Sequence, residues 1–568
     1  MQLTKGAIGN LINRYKAVLK KCHLMNTFGS LAVAGMLVMG GAGVAGAAGA
    51  AIQHTSGVHD YSGENISYTA SGDAITANGT DTRNNPQINR GNSDTQSIAI
   101  NAGNGADSYW NGNTLISWNG TPSDPSKLDV SEMTLTVKDG ATWTPTAISN
   151  SESQKYTALN NLTLDGGIVD VNKGVAITIE NIDGKGAITN AGSVTIEKGS
   201  IEGPITFEKG GVKADNMVTV GKDGKTTLTG GVAGSGTIDK LAIADGKTTI
   251  TNAKLSGHEG RALWNNGTLT INGGSFEGNK ANVAGAIYNA AGAKLTVDGV
   301  TFANNSSAKA GAINNYEGTV TITNSTFKSN DAGKSMGGAV TNTSGSASEK
   351  SAITIKGSTF EGNTAGNGGA VWNGSYGKVD ITGSTFTDNT ALAEGGLGQG
   401  GAITNANAMT ITGGSFANNT ANYSGGAIYN GAHAAPGKAS LTIDGTTFTG
   451  NSVMADFSTT PNDNIAGGAI FNDTNAKLDV KNATFTDNTS SLKGGAIFNR
   501  DGEVTITNST FKGNSVPKSA GGAVLNESGN TGILGTITIT GSTFEGNTAG
   551  NGGAVWNGSN GNVTITNS

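Results

Sequence analysis

The residues that could carry acid–base or metal chemistry are few and lie far apart. After residue 50 the histidines are His54, His59, His258 and His433, and none stands at a metal-ligand spacing from another. No two aspartates are adjacent, and calcium repeats of the Gly-Gly-x-Gly-x-Asp type are missing. We therefore predict no catalytic residue, no metal ligand and no cofactor, and we expect His258 to lie at the surface.

A second set of residues recurs at a spacing that suggests binding. The phrase Gly-Ala-Ile/Val-x-Asn occurs ten times between Gly285 and Asn557. Its Ile/Val must face a core, so the neighbouring x residue should face outward by the period of two in a strand. The aromatic x residues are Tyr288, Trp372, Tyr429, Phe471, Phe498 and Trp556. We predict that they form a discontinuous outward stripe, and one candidate function of this stripe is to stack on sugars or on another rod. The alternative is that the rings only pack on one another, or under loops, and stiffen the sheet.

The elements that must position these residues are short β-strands. Between copies of the phrase stands a Thr/Val/Ile run such as Thr319–Thr323, followed by Ser/Thr-Phe, two residues and usually Asn. The phenylalanines, Phe276 to Phe544, recur every 25 to 37 residues. Such a unit is one coil of a parallel β-solenoid, with Phe and the alternate Val/Ile inside and Thr outside. The phrase Asn should point inward and form an amide ladder, unless it serves only as a left-handed turn residue.

The chain divides into three parts. Residues 1–50 are basic, then apolar, then rich in small residues, which predicts a cleaved Sec signal peptide and export to the cell surface or the medium. Residues 51–155 fit the repeat pattern worst and are predicted to cap the solenoid. Residues 156–568 form the repeat array. The longest coils contain inserted loops, which a solenoid tolerates at its corners.

Composition and charge exclude some partners. Glycine supplies 90 of the 568 residues and charged residues only 14 %, which favours an all-β chain with many tight turns. Removing residues 1–50 takes away five cations and changes the net charge from −6 to −11. We expect such an acidic chain not to bind nucleic acid. Its one cysteine, Cys22, lies within the signal, so no disulfide is expected after cleavage.

The array contains an internal duplication. The eighteen residues 357–374 recur unchanged at 541–558, an offset of 184 residues. By that offset Ser568 corresponds to Ser384, which precedes Phe386. We therefore expect the chain to stop in mid-coil.

The Gly-Gly-Ala-Ile phrase paired with Phe-x-x-Asn resembles the repeats of chlamydial polymorphic outer membrane proteins. With the long basic signal, the array is similar to an autotransporter adhesin over about residues 186–568. The resemblance implies a right-handed, pectin-lyase-like parallel β-helix passenger. It also implies an outer-membrane β-barrel for export, which does not follow in this chain.

Three functions fit such a β-helix. The first is a surface adhesin that binds a host or bacterial glycan or protein, or that mediates cell–cell self-association. The alternative is a polysaccharide lyase or hydrolase, which the scattered acids and histidines disfavour. A third is an ice-binding face of Thr rows, which coils of unequal length disfavour. We predict an adhesin and no enzyme.

Overall fold

A computed structural model describes strand backbone at intervals between residues 51 and 243, and the chain from 246 to 568 except 347–350, 394–396, 432–438, 455–464, 529–533 and 559–560. The predicted signal peptide lies outside these residues. All regular elements of the described part are β-strands. That part holds no helix with the length and apolar character needed to span a bilayer.

The coils from residue 247 onward are built from three main strands and, in most coils, one short strand. We call the resulting columns the long ladder, the Phe ladder, the phrase ladder and the corner ladder. The long ladder, from the Thr/Val/Ile runs, consists of Lys247–Ser256, Thr268–Glu277, Lys294–Asp298, Thr319–Thr323, Ala352–Lys356, Lys378–Thr382, Ala408–Thr412, Ser440–Asp444, Lys477–Lys481, Glu503–Thr507, Thr536–Thr540 and Asn562–Thr566. Its first two strands continue into the Phe ladder, which then comprises Thr301–Ala303, Thr326–Lys328, Thr359–Glu361, Thr385–Thr387, Ser415–Ala417, Thr447–Thr449, Thr484–Thr486, Thr510–Lys512 and Thr543–Glu545.

The phrase ladder carries the recurring phrase, and the corner ladder follows each Phe strand. The phrase ladder consists of Leu263–Asn265, Ile287–Asn289, Ile313–Tyr316, Val340–Thr343, Val371–Asn373, Ile403–Asn405, Ile428–Asn430, Ile470–Asn472, Ile497–Arg500, Val524–Glu527 and Val555–Asn557. The corner ladder consists of Lys280–Ala281, Ser306–Ser307, Thr364–Ala365, Thr390–Ala391, Thr420–Ala421, Ser452–Val453, Thr489–Ser490, Ser515–Ala520 and Thr548–Asn551.

Within the three main ladders, every strand pairs in parallel with the same strand of the next coil. The corner ladder is interrupted after Ser306–Ser307, where Asp331 forms only isolated bridges with Ser306 and Thr364. Phe360 aligns with Phe386, and Asn373 aligns with Asn405. The residues that the structure does not describe lie between strands. Segments 347–350, 432–438 and 529–533 stand between a phrase strand and a long strand, and segments 394–396 and 455–464 follow a corner strand. The register of all three main ladders continues across these gaps. The predicted parallel β-helix is confirmed.

The core is built from the alternate apolar residues that the sequence predicted. In the strand Thr319–Thr323, Val320 and Ile322 are fully buried, while the threonines face away from the core. The phenylalanines from Phe276 to Phe511 are also fully buried. Consecutive rings, up to Phe544, stack at centroid separations of 4.7 to 5.1 Å. This continuous column confirms the inward orientation of the phenylalanines.

Two asparagine ladders run beside the apolar core. The phrase asparagines, from Asn265 to Asn557, donate Nδ2–H to Oδ1 of the next coil at 2.7 to 2.9 Å. The second ladder, from Asn279 to Asn547, follows each Phe by three residues and makes the same bond at 2.9 Å. None of these asparagines has a positive φ; left-handed turn positions belong to others, such as Asn418. The predicted inward ladder is therefore confirmed for the phrase asparagines.

The region before residue 247 holds less regular strands. The structure places them at Ala51–Thr55, Val58–Asp60, Ser67–Ser71, Ala74–Asn78, Gln87–Arg90, Ser97–Ile100, Ser108–Asn111, Leu115–Trp118, Thr134–Lys138, Ala141–Thr144, Ala158–Val171, Ala176–Asn190, Ser193–Ile201, Ile205–Phe207, Met217–Val220, Lys225–Leu228, Val232–Gly234 and Leu241–Ile243. Ala74–Asn78 pairs antiparallel with Ala51–Thr55 and Ser67–Ser71. Thr134–Lys138 already stacks in parallel on Ala158–Val171. A capping role for residues 51–155 stays a prediction.

Candidate interaction surface

The phrase ladder positions the x residues through two successive glycines. Gly368 has a φ of 60°, a backbone conformation that side chains disfavour. A β-carbon on Gly369 would collide with the carbonyl oxygen of Gly401 in the next coil. At Gly369 the backbones of adjacent coils lie so close together that no side chain fits between them. The glycines therefore set the corner from which Val371 turns inward and Trp372 outward.

The x residues align coil by coil in a single column, which we call the outer row. It comprises Trp264, Tyr288, Asn314, Thr341, Trp372, Thr404, Tyr429, Phe471, Phe498, Leu525 and Trp556. Their side chains point away from the main core, as the period of two predicted. The expected solvent exposure is wrong for most of them. Tyr429, Phe471, Phe498 and Leu525 are at most 1 % exposed, and Thr341 is fully buried.

A neighbouring column of residues covers the part of the outer row from Tyr429 to Leu525. The residue two positions before each Gly-Ala pair forms parallel bridges from coil to coil; these residues are Met336, Asn367, Gln399, Ser424, Ala466, Lys493 and Ala520. Ala466 and Ala520 pack against Tyr429, Phe471 and Phe498 in an apolar cluster separate from the core. The alternation of residues along a strand predicts the direction of a side chain, but it does not predict which other residues pack over that side chain. The six predicted binding residues therefore do not form one exposed stripe.

The buried part of the outer row includes a polar contact. The Tyr429 hydroxyl donates a hydrogen bond to the Asp473 carboxylate. Arg500 pairs with the same carboxylate at 2.5 Å and lies 5.2 Å from the centroid of the Phe471 ring. Burial, followed by the nearby Asp473 charge, raises the pKa of Tyr429 well above its ordinary value. This arrangement ties three consecutive coils together and keeps Tyr429 neutral.

The first coils of the outer row are less covered. Trp264 and Tyr288 are half-buried, and their rings lie 4.9 Å apart. The Arg261 guanidinium lies over both rings, 4.4 Å from the Trp264 centroid and 5.0 Å from that of Tyr288. Burial raises the pKa of Tyr288, and the nearby Arg261 opposes this effect. The two rings are tilted by 39° to each other and the Arg261 guanidinium lies against both, so the three side chains form a packed cluster and not an open platform.

Trp372 and Trp556 are the other two half-buried aromatic residues of the outer row. Each indole contacts the glycine two residues later, since a β-carbon on Gly374 would lie 2.7 Å from Cζ3 of Trp372. The corresponding distance from Gly558 to Trp556 is 2.5 Å. Of the six residues predicted to bind, Tyr288, Trp372 and Trp556 are thus the ones with accessible surface, and a binding role stays a prediction.

His258 does not lie at the surface as expected. It is fully buried and occupies, one coil earlier, the position of the second-ladder asparagines; its backbone N–H donates to Oδ1 of Asn279 at 3.0 Å. The sequence contains a signal for this position. Asparagine recurs three residues after each buried Phe, and His258 stands three residues after Leu255, which aligns with Phe276. Within the described residues, no three His, Cys, Asp or Glu side chains are grouped so as to hold a metal ion.

Three segments match the sequence model of the Chlamydia polymorphic membrane protein repeat: residues 357–374, 482–500 and 541–558. No curated protein and no solved structure matches the chain. The first matched segment runs from a Phe strand through the corner ladder to Gly374, and so includes Phe360, Asn363 and Trp372. The chain therefore carries repeats of this membrane protein type, as the resemblance predicted, and they coincide with the residues that stack one coil on the next.

Proposed function

We propose that this chain is the surface-exposed passenger of an autotransporter-type protein and that it mediates attachment or cell–cell self-association. The observation that carries the proposal is that three segments of one continuous parallel β-helix match the polymorphic membrane protein repeat. A stack of coils is a rigid rod, which holds a binding surface away from the membrane that anchors it.

The surface of the rod supports a binding role better than a chemical one. The charged side chains that pair on it, such as Lys328 with Glu361 at 2.9 Å and Lys512 with Glu545 at 3.2 Å, belong to successive coils and are largely exposed. Exposed pairs of this kind contribute little energy and keep their carboxylates in contact with solvent. An acid for glycoside cleavage requires a carboxyl group in a protected setting. The alternative of a polysaccharide-active enzyme gains no support from these residues.

The proposal is tested by displaying the chain on cells that neither adhere nor aggregate. We expect the displaying cells to bind epithelial monolayers or to settle as aggregates. Cells that display a deletion variant lacking residues 375–558, which shortens the rod by whole coils, provide a control for length. Displayed, folded protein that gives neither adhesion nor aggregation would refute the function. Release of reducing sugars from polysaccharides would instead favour the enzyme.

A further inference from the structure

Trp372 is held in the outer row by contact with a glycine and not by a neighbouring ring. Its neighbours in that row, Thr341 and Thr404, are short and at most 4 % exposed, so no ring stacks on the indole from either coil. The benzo edge of the indole instead contacts Gly374, where a β-carbon would lie 2.7 Å from Cζ3 and 2.8 Å from Cη2. This contact is possible only at glycine. The ring is therefore fixed on the backbone and keeps part of its surface in solvent.

A second aromatic side chain lies on the same turn. The N–H of Gly377 donates to the carbonyl oxygen of Gly374 at 3.0 Å, which closes a turn around Ser375 and Tyr376. Tyr376 is 36 % exposed. Two aromatic residues with accessible surface thus stand four positions apart at one corner of the rod, although aromatic residues make up only 5 % of the chain.

The described side chains that bond around this turn are polar and uncharged. The Thr341 hydroxyl donates to Oδ1 of Asn314 at 2.6 Å, and Nδ2 of Asn407 donates to the carbonyl oxygen of Gly377 at 2.9 Å. The charged residues that follow the turn, Lys378 and Asp380, pair with each other at 2.8 Å. The Thr341 hydroxyl is fully buried, whereas Ser375 of the turn is half-buried, so a ligand at the turn would meet ring faces, the Ser375 hydroxyl and amides.

A protein partner does not fit this corner. A stable protein interface covers about 800 Å² on each side and has an apolar centre. The exposed large apolar residues of the described chain are spread over the rod; they are Ile168, Tyr376, Leu392, Leu397, Met454, Leu534 and Ile565. Leu392 and Leu397 follow in the same turn of the solenoid, but they lie after the corner strand Thr390–Ala391 and so at a different corner from Tyr376. One or two rings among hydroxyls match the apolar face of a single sugar ring instead.

We propose that Trp372 and Tyr376 form a carbohydrate-binding platform that stacks on a pyranose of a neutral glycan, with Gly374 as the positioning residue. The inference rests on the proposed adhesive function and names its ligand class. Trp556 and Gly558 repeat the indole contact in the duplicated segment, with Asn560 in place of Tyr376. The two tryptophans are six coils apart, or about 29 Å at roughly 4.8 Å per coil. A glycan long enough to bridge them gains avidity from the second site.

The test uses the full chain on an array of neutral oligosaccharides and polysaccharides of hexoses and N-acetylhexosamines. We compare the parent with Trp372→Thr, Tyr376→Thr, Trp556→Thr and Gly374→Ala. Thr already occupies the outer row at Thr341 and Thr404, so Trp372→Thr should fold, and circular dichroism checks this. Leu397→Thr, which removes an apolar side chain that is 48 % exposed elsewhere, is the matched control.

We expect Trp372→Thr to weaken binding of the best glycan at least tenfold and Leu397→Thr to leave it unchanged. Gly374→Ala, which retains the tryptophan but displaces it, should also weaken binding. Absence of any glycan bound by the parent, or full binding by Trp372→Thr, would overturn the platform. If cells displaying Trp372→Thr/Trp556→Thr still adhere like the parent, the platform fails and the adhesive function stands. If the parent itself does not adhere, the adhesive function fails.

Discussion

The side-chain amide of Asn389 donates a hydrogen bond to Oδ1 of Asn419 at 2.9 Å, and the backbone N–H of Asn389 donates to the same oxygen at 3.1 Å. A further Nδ2–H of Asn389 donates to the carbonyl oxygen of Phe360, two coils before Asn419, at 3.0 Å. One buried side chain thus joins three coils. It also satisfies backbone groups at a corner where the strand hydrogen bonds are interrupted.

The first prediction concerns this ladder. Asn389→Ala removes both donors and leaves the N–H groups of Asn363 without the oxygen that accepts them at 2.9 and 3.0 Å. Because buried unsatisfied groups cost about 1–3 kcal/mol each, we expect a loss of at least about 2 kcal/mol in the free energy of unfolding. Urea denaturation measures the loss, and hydrogen exchange locates it.

The control for this variant is the adjacent asparagine. Asn418 is exposed and has a φ of 53°, which glycine adopts without strain. Asn418→Gly should therefore change stability by only a few tenths of a kcal/mol. If the two variants lost equal free energies of unfolding, the hydrogen bonds of Asn389 would contribute no more to stability than a turn residue does.

The column of phenylalanines supports a second prediction. Phe386 is fully buried and stacks on Phe360 and Phe416 at 4.7 Å on both sides. Phe386→Ala opens a cavity between two rings, so we expect destabilisation of roughly 3–5 kcal/mol. The outward neighbour Thr387 provides the control, since Thr387→Ala removes no core contact. A thermal midpoint that does not change in Phe386→Ala would contradict the stacked core.

The sequence predicted the parts of the fold that repeat. A residue that recurs once per coil must meet its own copy in the next coil, so Phe386 had to stack on Phe416 and Asn373 had to face Asn405. The covering of Tyr429 could not be predicted in this way. It depends on Ala466, which lies next to a loop of variable length and aligns with different residue types in different coils. The position of His258 was predicted wrongly for a related reason, because the other members of its column among the described residues, from Asn279 to Asn547, are all asparagine.

The close approach of coils at the phrase gives a third prediction. Gly369→Ala should destabilise strongly, because its β-carbon would collide with the backbone of Gly401 and neither strand can move without disturbing the ladder. Gly383 is the comparison: its φ is 56°, and a β-carbon there meets no atom within 4 Å. Asn324, at the same turn of an earlier coil, has a φ of 47°.

We therefore expect Gly383→Asn to fold with a melting temperature close to that of the parent, and Gly369→Ala to melt markedly lower or fail to fold. Differential scanning calorimetry measures the melting temperatures of both variants and of the parent. A Gly369→Ala protein as stable as Gly383→Asn would show that adjacent coils can separate at the phrase.

The buried hydroxyl of Tyr429 gives a prediction on pH. Burial and Asp473 raise the pKa of Tyr429 above the value of about 10 that it has in the unfolded chain. The folded state therefore keeps its proton where the unfolded state loses it. The stability contribution is complete below pH 10 or so and is lost as the pH rises through the higher folded pKa. Tyr429→Phe should unfold at a urea concentration that depends less on pH above 10. Identical pH dependence in the two proteins would exclude a buried, neutral Tyr429.

The duplication allows a prediction about length. Residues 357–374 and 541–558 are identical, and the structure places them at equivalent positions six coils apart, since Phe360 and Phe544 belong to one stack and Trp372 and Trp556 to one row.

Deleting residues 375–558 joins Gly374 to Ser559 and removes a whole number of coils. The long ladder then continues across the junction into Asn562–Thr566, and the Phe and phrase ladders end at Phe360 and Trp372 as they end at Phe544 and Trp556 in the parent, so we expect a shorter rod that keeps its cooperative unfolding. Deleting residues 375–545 instead would join the phrase to Gly546 and remove one long strand and one Phe strand too many, which exposes ladder edges. Size-exclusion chromatography with light scattering should find the first variant monodisperse and the second aggregated; two equally soluble variants would show that the coil is not the unit of folding.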